Sequence, residues 1–204
     1  MAARGAARVC LETGRRWTFA SALDWPGWCR RGKGEEAALE ALAAYAERYR
    51  AVVGTAFRPG PLTVVGAVPG TATTEFGAPD ARGPWDDEPM PAAERRRQIE
   101  LLEACWRRLD DVVAGAPAAL RRGPRGGGRD RDPIAEHVRE AERSYLRMLG
   151  RRLPPGTPWP EQREALAALV REGAPEARWP LRYAVRRAAW HVLDHAWEIE
   201  DKSE

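Results

Sequence analysis

The stretch "WHVLDHAWEIED", residues 190 to 201, holds two of the three histidines in the chain, His191 and His195. The third, His137, lies in "DPIAEHVREAERSYLRML". Side chains four apart on a helix project from one face, one turn above the other. His191 and His195 can therefore bind one ion, while Val192, Leu193, Ala196 and Ile199 anchor the helix that carries them. A neutral imidazole is a good ligand for zinc, nickel, iron or copper. Three protein ligands leave at least one position open for water or substrate, as catalytic rather than structural sites do. Read alone, the pair also fits two ordinary partly buried side chains, and His137 a hydrogen-bonded core histidine. No serine, cysteine or carboxylate declares itself as a nucleophile or general base.

The elements that must position these residues fill the second half of the chain. Ile99, Leu102, Trp106, Leu109 and Val113 recur at helical spacing from about Pro91 to the "AGAP" stretch. A second helix is predicted from Asp132, an N-cap before Pro133, to Gly150, with Ile134, His137, Ala141, Tyr145 and Met148 inward. A third spans Trp159 to Glu172 with Leu166, Leu169 and Val170 inward, stopped by Gly173, and a fourth runs from Pro180 to about Asp201. Four apolar stripes predict a four-helix bundle. His137 lies about five residues into the second helix and His195 about six from the end of the fourth. At about 1.5 Å per residue these depths match if the two helices run antiparallel, and three imidazoles then converge. Carboxylates commonly orient ligating histidines. Glu140, Asp194 and Glu198 stand three residues after His137, His191 and His195, and Glu198 is the candidate taken forward.

The first half has a different period. "RVCLE" and "WTFASAL" read as paired strands, "DWPGW" breaks them, and "GEEAALEALAAYAERYRAVV" reads as one helix before a further strand, "LTVVGAV". This predicts a small antiparallel sheet with one helix over residues 1–75, a Gly/Pro-rich linker over 76–90 and the bundle over 91–204, an α+β chain in all. The net charge of +3 is carried almost wholly by arginine, since Lys33 and Lys202 are the only lysines. Its densest run, "LRRGPRGGGRDRD", reads as a solvated glycine-rich loop, so nucleic acid is not an expected partner. No run approaches the roughly 20 apolar residues of a membrane helix. "MAARGAARVCLE" lacks the apolar core of a signal peptide, and Cys10, Cys29 and Cys105 are odd in number and far apart. Reduced thiols in a cytoplasm are the expectation.

Two resemblances follow from these residues. "DWPGWCRRGKGEEAALEALAAYAERY" resembles the HicB-like antitoxin domain, in which a Pro-Gly and a Gly precede a Glu/Ala-rich helix. From about Met90 to Glu204 the chain resembles the DinB-like four-helix bundles, whose pattern is a histidine in the second helix and HxxxH in the fourth. His137, followed by "EAERSYLRML", and His191 with His195 match it. That family includes thiol-dependent transferases and the metal-binding domain of mycothiol-dependent maleylpyruvate isomerases. The resemblance implies a divalent ion on the three histidines, zinc before nickel or iron. It also implies a low-molecular-weight thiol such as mycothiol, and a reaction of S-transferase or isomerase type on a small electrophile. Hydrolysis by metal-bound water is a variant that the same site allows. The competing expectation is a non-enzymatic stress-response or antitoxin-like binding protein with a structural metal. Either reading leaves room for a homodimer.

Overall fold

A computed structural model describes residues 5–123, 128–175 and 177–203. The chain is α+β and divides into two compact units, Met1–Pro89 and Met90–Glu204.

In the first unit, β1 (Ala7–Thr13), β2 (Thr18–Ala22), β3 (Cys29–Gly32) and β4 (Leu62–Pro69) form one sheet in the order β3-β2-β1-β4. The first three strands pair antiparallel, but β4 lies parallel to β1, which corrects the all-antiparallel expectation. The connection explains it. The chain leaves β3 through α1 (Glu35–Ala44) and α2 (Ala46–Val53), and a helical crossover returns it in the starting direction. The expected single helix is thus two, broken at Tyr45, whose N–H reaches the carbonyls of both Ala41 and Leu42 as a tightened last turn does. Trp28, Leu42, Tyr49 and Phe57 are fully buried between helices and sheet. The indole of Trp28 donates to the Leu42 carbonyl, and the Tyr49 hydroxyl donates to the Pro26 carbonyl. Gly32 closes β3 where a Cβ would sit 2.3 Å from the backbone of Ala37 and Ala38, so α1 can approach the strand only over glycine.

The stretch read as a linker belongs to this unit. After α3 (Ala72–Phe76), the buried carboxylate of Glu12 on β1 accepts from the N–H groups of Asp80 and Ala81 and from the Thr74 hydroxyl. Trp85 then lies across β4, its ring 2.8 Å from where a Cβ on Gly66 would stand. Polar anchoring and one large ring hold a segment that has no period of its own.

In the second unit, α4 (Ala92–Gly115), α5 (Arg131–Met148), α6 (Trp159–Glu172) and α7 (Leu181–Ser203) pack with α4 and α5 against α7, and α6 against α4 and α5. Asp130 takes the N-cap position of α5 in place of Asp132, and its carboxylate accepts from the Leu120 N–H. The buried stripe of α5 is Ile134, Val138, Glu142, Tyr145 and Leu146. Ile134 and Tyr145 are buried as expected, whereas Val138, Glu142 and Leu146 are buried in place of Ala141 and Met148, which are half-buried, and His137 is exposed beside the stripe. In α6, Leu166 and Val170 are buried and Leu169 is half-buried, and in α4 Val112 is buried where Val113 is half-buried. α7 is the most enclosed helix of this unit, with Ala188, Ala189, Val192, Leu193, Ala196 and Ile199 at 0% exposure. No described helix is long and apolar enough to cross a membrane. Of the basic run Leu120 to Asp132, residues 124–127 lie outside the described ones.

Candidate metal centre

His137 near the start of α5 meets His191 and His195 in the second half of α7, and Tyr145, two turns further along α5, faces His191 with ring centroids 6.0 Å apart. The helices therefore run antiparallel, and the three histidines meet because their depths from opposite ends coincide. Ring centroids stand 5.0 Å apart for His137–His191, 5.1 Å for His137–His195 and 4.6 Å for His191–His195. One nitrogen from each ring lies within 4.8 Å of the others, and Nε2 of His191 is 3.1 Å from Nε2 of His137. Two imidazole nitrogens bound to one ion at about 2.0–2.1 Å in tetrahedral geometry stand about 3.3 Å apart. The donor set and its spacing fit a divalent ion. It is the one such cluster of three or more His, Cys, Asp or Glu side chains among the described residues.

The electrostatics favour the ligand form of the rings. Burial holds His191 well below the ordinary imidazole value, and the Arg187 and Arg129 guanidinium groups push the same way. Burial also lowers His137, helped by Arg129 and His195 and opposed by Glu198. A neutral ring keeps the lone pair that a metal needs. Nδ1 of His195 donates to Oε2 of Glu198 at 2.7 Å, which leaves Nε2 of that ring to face the cluster. Burial alone would raise the Glu198 carboxyl, but hydrogen bonds from His195 and Lys202 outweigh it and bring it down to about 2. The carboxylate is thus an anion fixed between a ligand ring and an ammonium group. Nδ1 of His191 is buried and finds no hydrogen-bond partner.

The other sequence candidates separate from the cluster. Glu140 pairs with Arg143 on its own helix instead of turning to His137. Trp197 is a core residue at 2% exposure, and Trp190 is buried beneath the Arg187 guanidinium, 4.7 Å from its ring. Asp194 does not join the ligand group.

Sequence reasoning missed Glu142. It is buried on the apolar stripe of α5, and its carboxylate accepts from the indole N–H of Trp106 on α4 and of Trp159 on α6, each at 2.5 Å. The guanidinium of Arg163 stacks on Trp159 at 4.1 Å and stands 3.9 Å from the same carboxylate. Burial raises the Glu142 carboxyl, while Arg163 and the two indoles hold it down. The signal was present in the spacing, since Ile134, Val138, Glu142 and Leu146 recur every four residues. An acid on an apolar line needs buried partners.

Comparison with protein-family models, with curated proteins and with solved structures finds no match for this chain.

Proposed function

We propose that His137, His191 and His195 hold a divalent ion, zinc ahead of nickel or iron, and that the chain is a metal-dependent enzyme acting on a small electrophilic substrate. The observation that carries this reading is the convergence of three imidazoles from two antiparallel helices, one of them oriented by a carboxylate. In this reading the second unit is a four-helix bundle of the DinB-like kind, and the first is HicB-like. When bound, such an ion lowers the pKa of a thiol or water molecule coordinated to it. The chain's own residues do the rest. Three rings present their lone pairs, Glu198 fixes the tautomer of His195, and Lys202 holds Glu198 in place.

The source of the sulfur follows from burial. Cys10, Cys29 and Cys105 are all buried, and burial pushes the Cys105 thiol far up, so none of them is a ready nucleophile. In a thiol reaction the sulfur would come from a low-molecular-weight thiol such as mycothiol, whose proton passes to solvent. As the C–S bond forms in an addition, the π bond of the attacked electrophile breaks and its carbon or oxygen takes a proton from solvent. In an S-transfer the bond to the leaving group breaks instead, and that group departs with the electron pair.

Metal analysis of the purified chain, followed by a thiol-consumption assay with a panel of electrophiles, tests this. Near-stoichiometric metal and thiol loss that depends on it are expected. Bound metal without turnover of any thiol, or hydrolysis instead, would turn the reading toward a binding protein or a hydrolase. A chain that folds and binds no metal would end it.

A further inference from the structure

Arg187 stands one turn before His191 and two turns before His195, so residues 187, 191 and 195 form one stripe along α7. Its guanidinium lies over the Trp190 ring at 4.7 Å, and its Nη1 is buried without a hydrogen-bond partner. Other arginines of this unit meet carboxylates: Arg182 meets Glu94, Arg108 meets Glu200, Arg139 meets Glu136, Arg143 meets Glu140, and Arg163 meets Asp110. Among the described residues, Nη1 of Arg187 meets no carboxylate. Glu198, the carboxylate of the centre, is already held by His195 and Lys202. A buried guanidinium N–H with no acceptor costs free energy that an anion would recover.

The charge around the cluster points the same way. Arg187 bears on His191 from along α7, and Arg129, just before α5, bears on both His137 and His191. Glu198 opposes them at His137, but it is already bonded to His195 and Lys202, so positive charge prevails at His191, and a ligand that brings negative charge relieves it.

We propose that Arg187 binds the carboxylate of the substrate, and that the centre serves a small organic acid whose reacting end lies at the three histidines. A planar carboxylate matches the guanidinium fork, accepting two parallel N–H bonds from it. The inference rests on the metal reading and narrows the substrate from any small electrophile to an anionic one.

The test uses the full chain loaded with cobalt(II), titrated with acetate, malonate, succinate and glutarate and followed by the visible absorption of the cobalt. Acetate can reach the ion alone, whereas a dicarboxylate of fitting length can also span to Arg187. At least one dicarboxylate should bind the unaltered chain about tenfold or more tighter than acetate, the scale of one charge-assisted hydrogen bond. Arg187→Gln should remove that advantage and leave acetate within about twofold, and Arg187→Lys should restore part of it. No dicarboxylate advantage in the unaltered chain, an advantage that survives Arg187→Gln, or equal weakening of acetate and dicarboxylates would overturn the proposal. Cobalt uptake and far-ultraviolet circular dichroism show whether a variant has folded. If Arg187→Gln fails there, Arg187→Met, which keeps an apolar stem over Trp190 and carries no charge, takes its place, and a dicarboxylate advantage that survives in it overturns the proposal. A folded unaltered chain that takes up no cobalt overturns the metal reading itself, a result distinct from the others.

Discussion

At the residue scale, Glu198 shows how one side chain can set the state of a candidate ligand ring from behind it. Its carboxylate accepts from Nδ1 of His195 at 2.7 Å and fixes which nitrogen of that ring is free. Glu198→Gln should lower metal affinity about 10- to 100-fold, measured by competition with a chelator of known strength. His137→Ala, His191→Ala and His195→Ala should each fall further, to a common low metal content, because a two-ligand remnant lacks the geometry to hold the ion. Full occupancy in His137→Ala alone would mean that the third ligand lies elsewhere. The direction of pH dependence also follows. His137 and His191 have folded pKa values below the unfolded 6.5, so the unfolded chain takes up protons first as the pH falls. Their contribution to stability is present above about pH 6.5 and is lost below it. The melting temperature of the metal-free chain should therefore drop between about pH 7 and about pH 5.5, and His191→Gln should flatten that slope. A slope unchanged in the variant would remove His191 as its cause. His191, His195 and Glu198 were legible because helical spacing puts i, i+3 and i+4 on one face, and His137 because its depth in one helix matches theirs in an antiparallel neighbour. Arg187 was less so, since an arginine in a helix reads as solvated until its surroundings show no carboxylate for it.

At the scale of elements, strongly periodic segments read through and weakly periodic ones did not. The four helices of the second unit lie within a few residues of where their apolar stripes put them. The strand β3 did not show itself, because "CRRG" has too few residues to alternate and follows a turn. Nor could spacing reveal that β4 runs parallel to β1, since direction is set by the helical crossover and not by the strand. The exact face of α5 also escaped, because one residue turns a helix by about 100° and Glu142 occupies a position that hydropathy assigns to solvent. These differences set the mutational expectations. Leu102 is at 0% exposure, and Leu102→Asp should unfold the second unit, since an unpartnered buried charge costs several kcal/mol. Leu166→Asp should do the same, whereas Leu169→Asp, at a half-buried site one turn along, should lower the melting temperature visibly less. Equal loss in both would mean that α6 packs on a different face. Glu142→Ala strands two indole N–H groups, and should cost roughly 2–5 kcal/mol, read from denaturant melts. If that variant melts like the unaltered chain, the buried carboxylate is not the tie between α4, α5 and α6.

At the scale of the whole molecule, two features bear on how the chemistry is distributed. The three thiols are closed off, with Cys10, Cys29 and Cys105 at 3%, 2% and 0% exposure. A thiol reagent should leave the native chain unmodified and react with all three only after unfolding; fast labelling of any of them would reopen the case for a nucleophile within the chain. The other feature is the division between Pro89 and Met90. Every residue assigned to the centre lies beyond it: His137, His191, His195, Glu198 and Lys202, together with Arg187 and Arg129. The second unit also has its own core, built from Leu102, Leu109, Ile134, Leu146, Leu193 and Ile199, all at 0% exposure. A unit with its own core can in principle fold alone. The fragment from Met90 to Glu204 should therefore show the circular dichroism of folded helices and take up close to one divalent ion per chain, with the same loss on His195→Ala as in the full chain. Thiol consumption is the separate question. If the fragment binds metal with full affinity but turns over no electrophile, the first unit contributes to the reaction and the ion does not act alone. If the fragment is helical and binds no metal, the three histidines are insufficient by themselves, and the centre needs a group from before Met90.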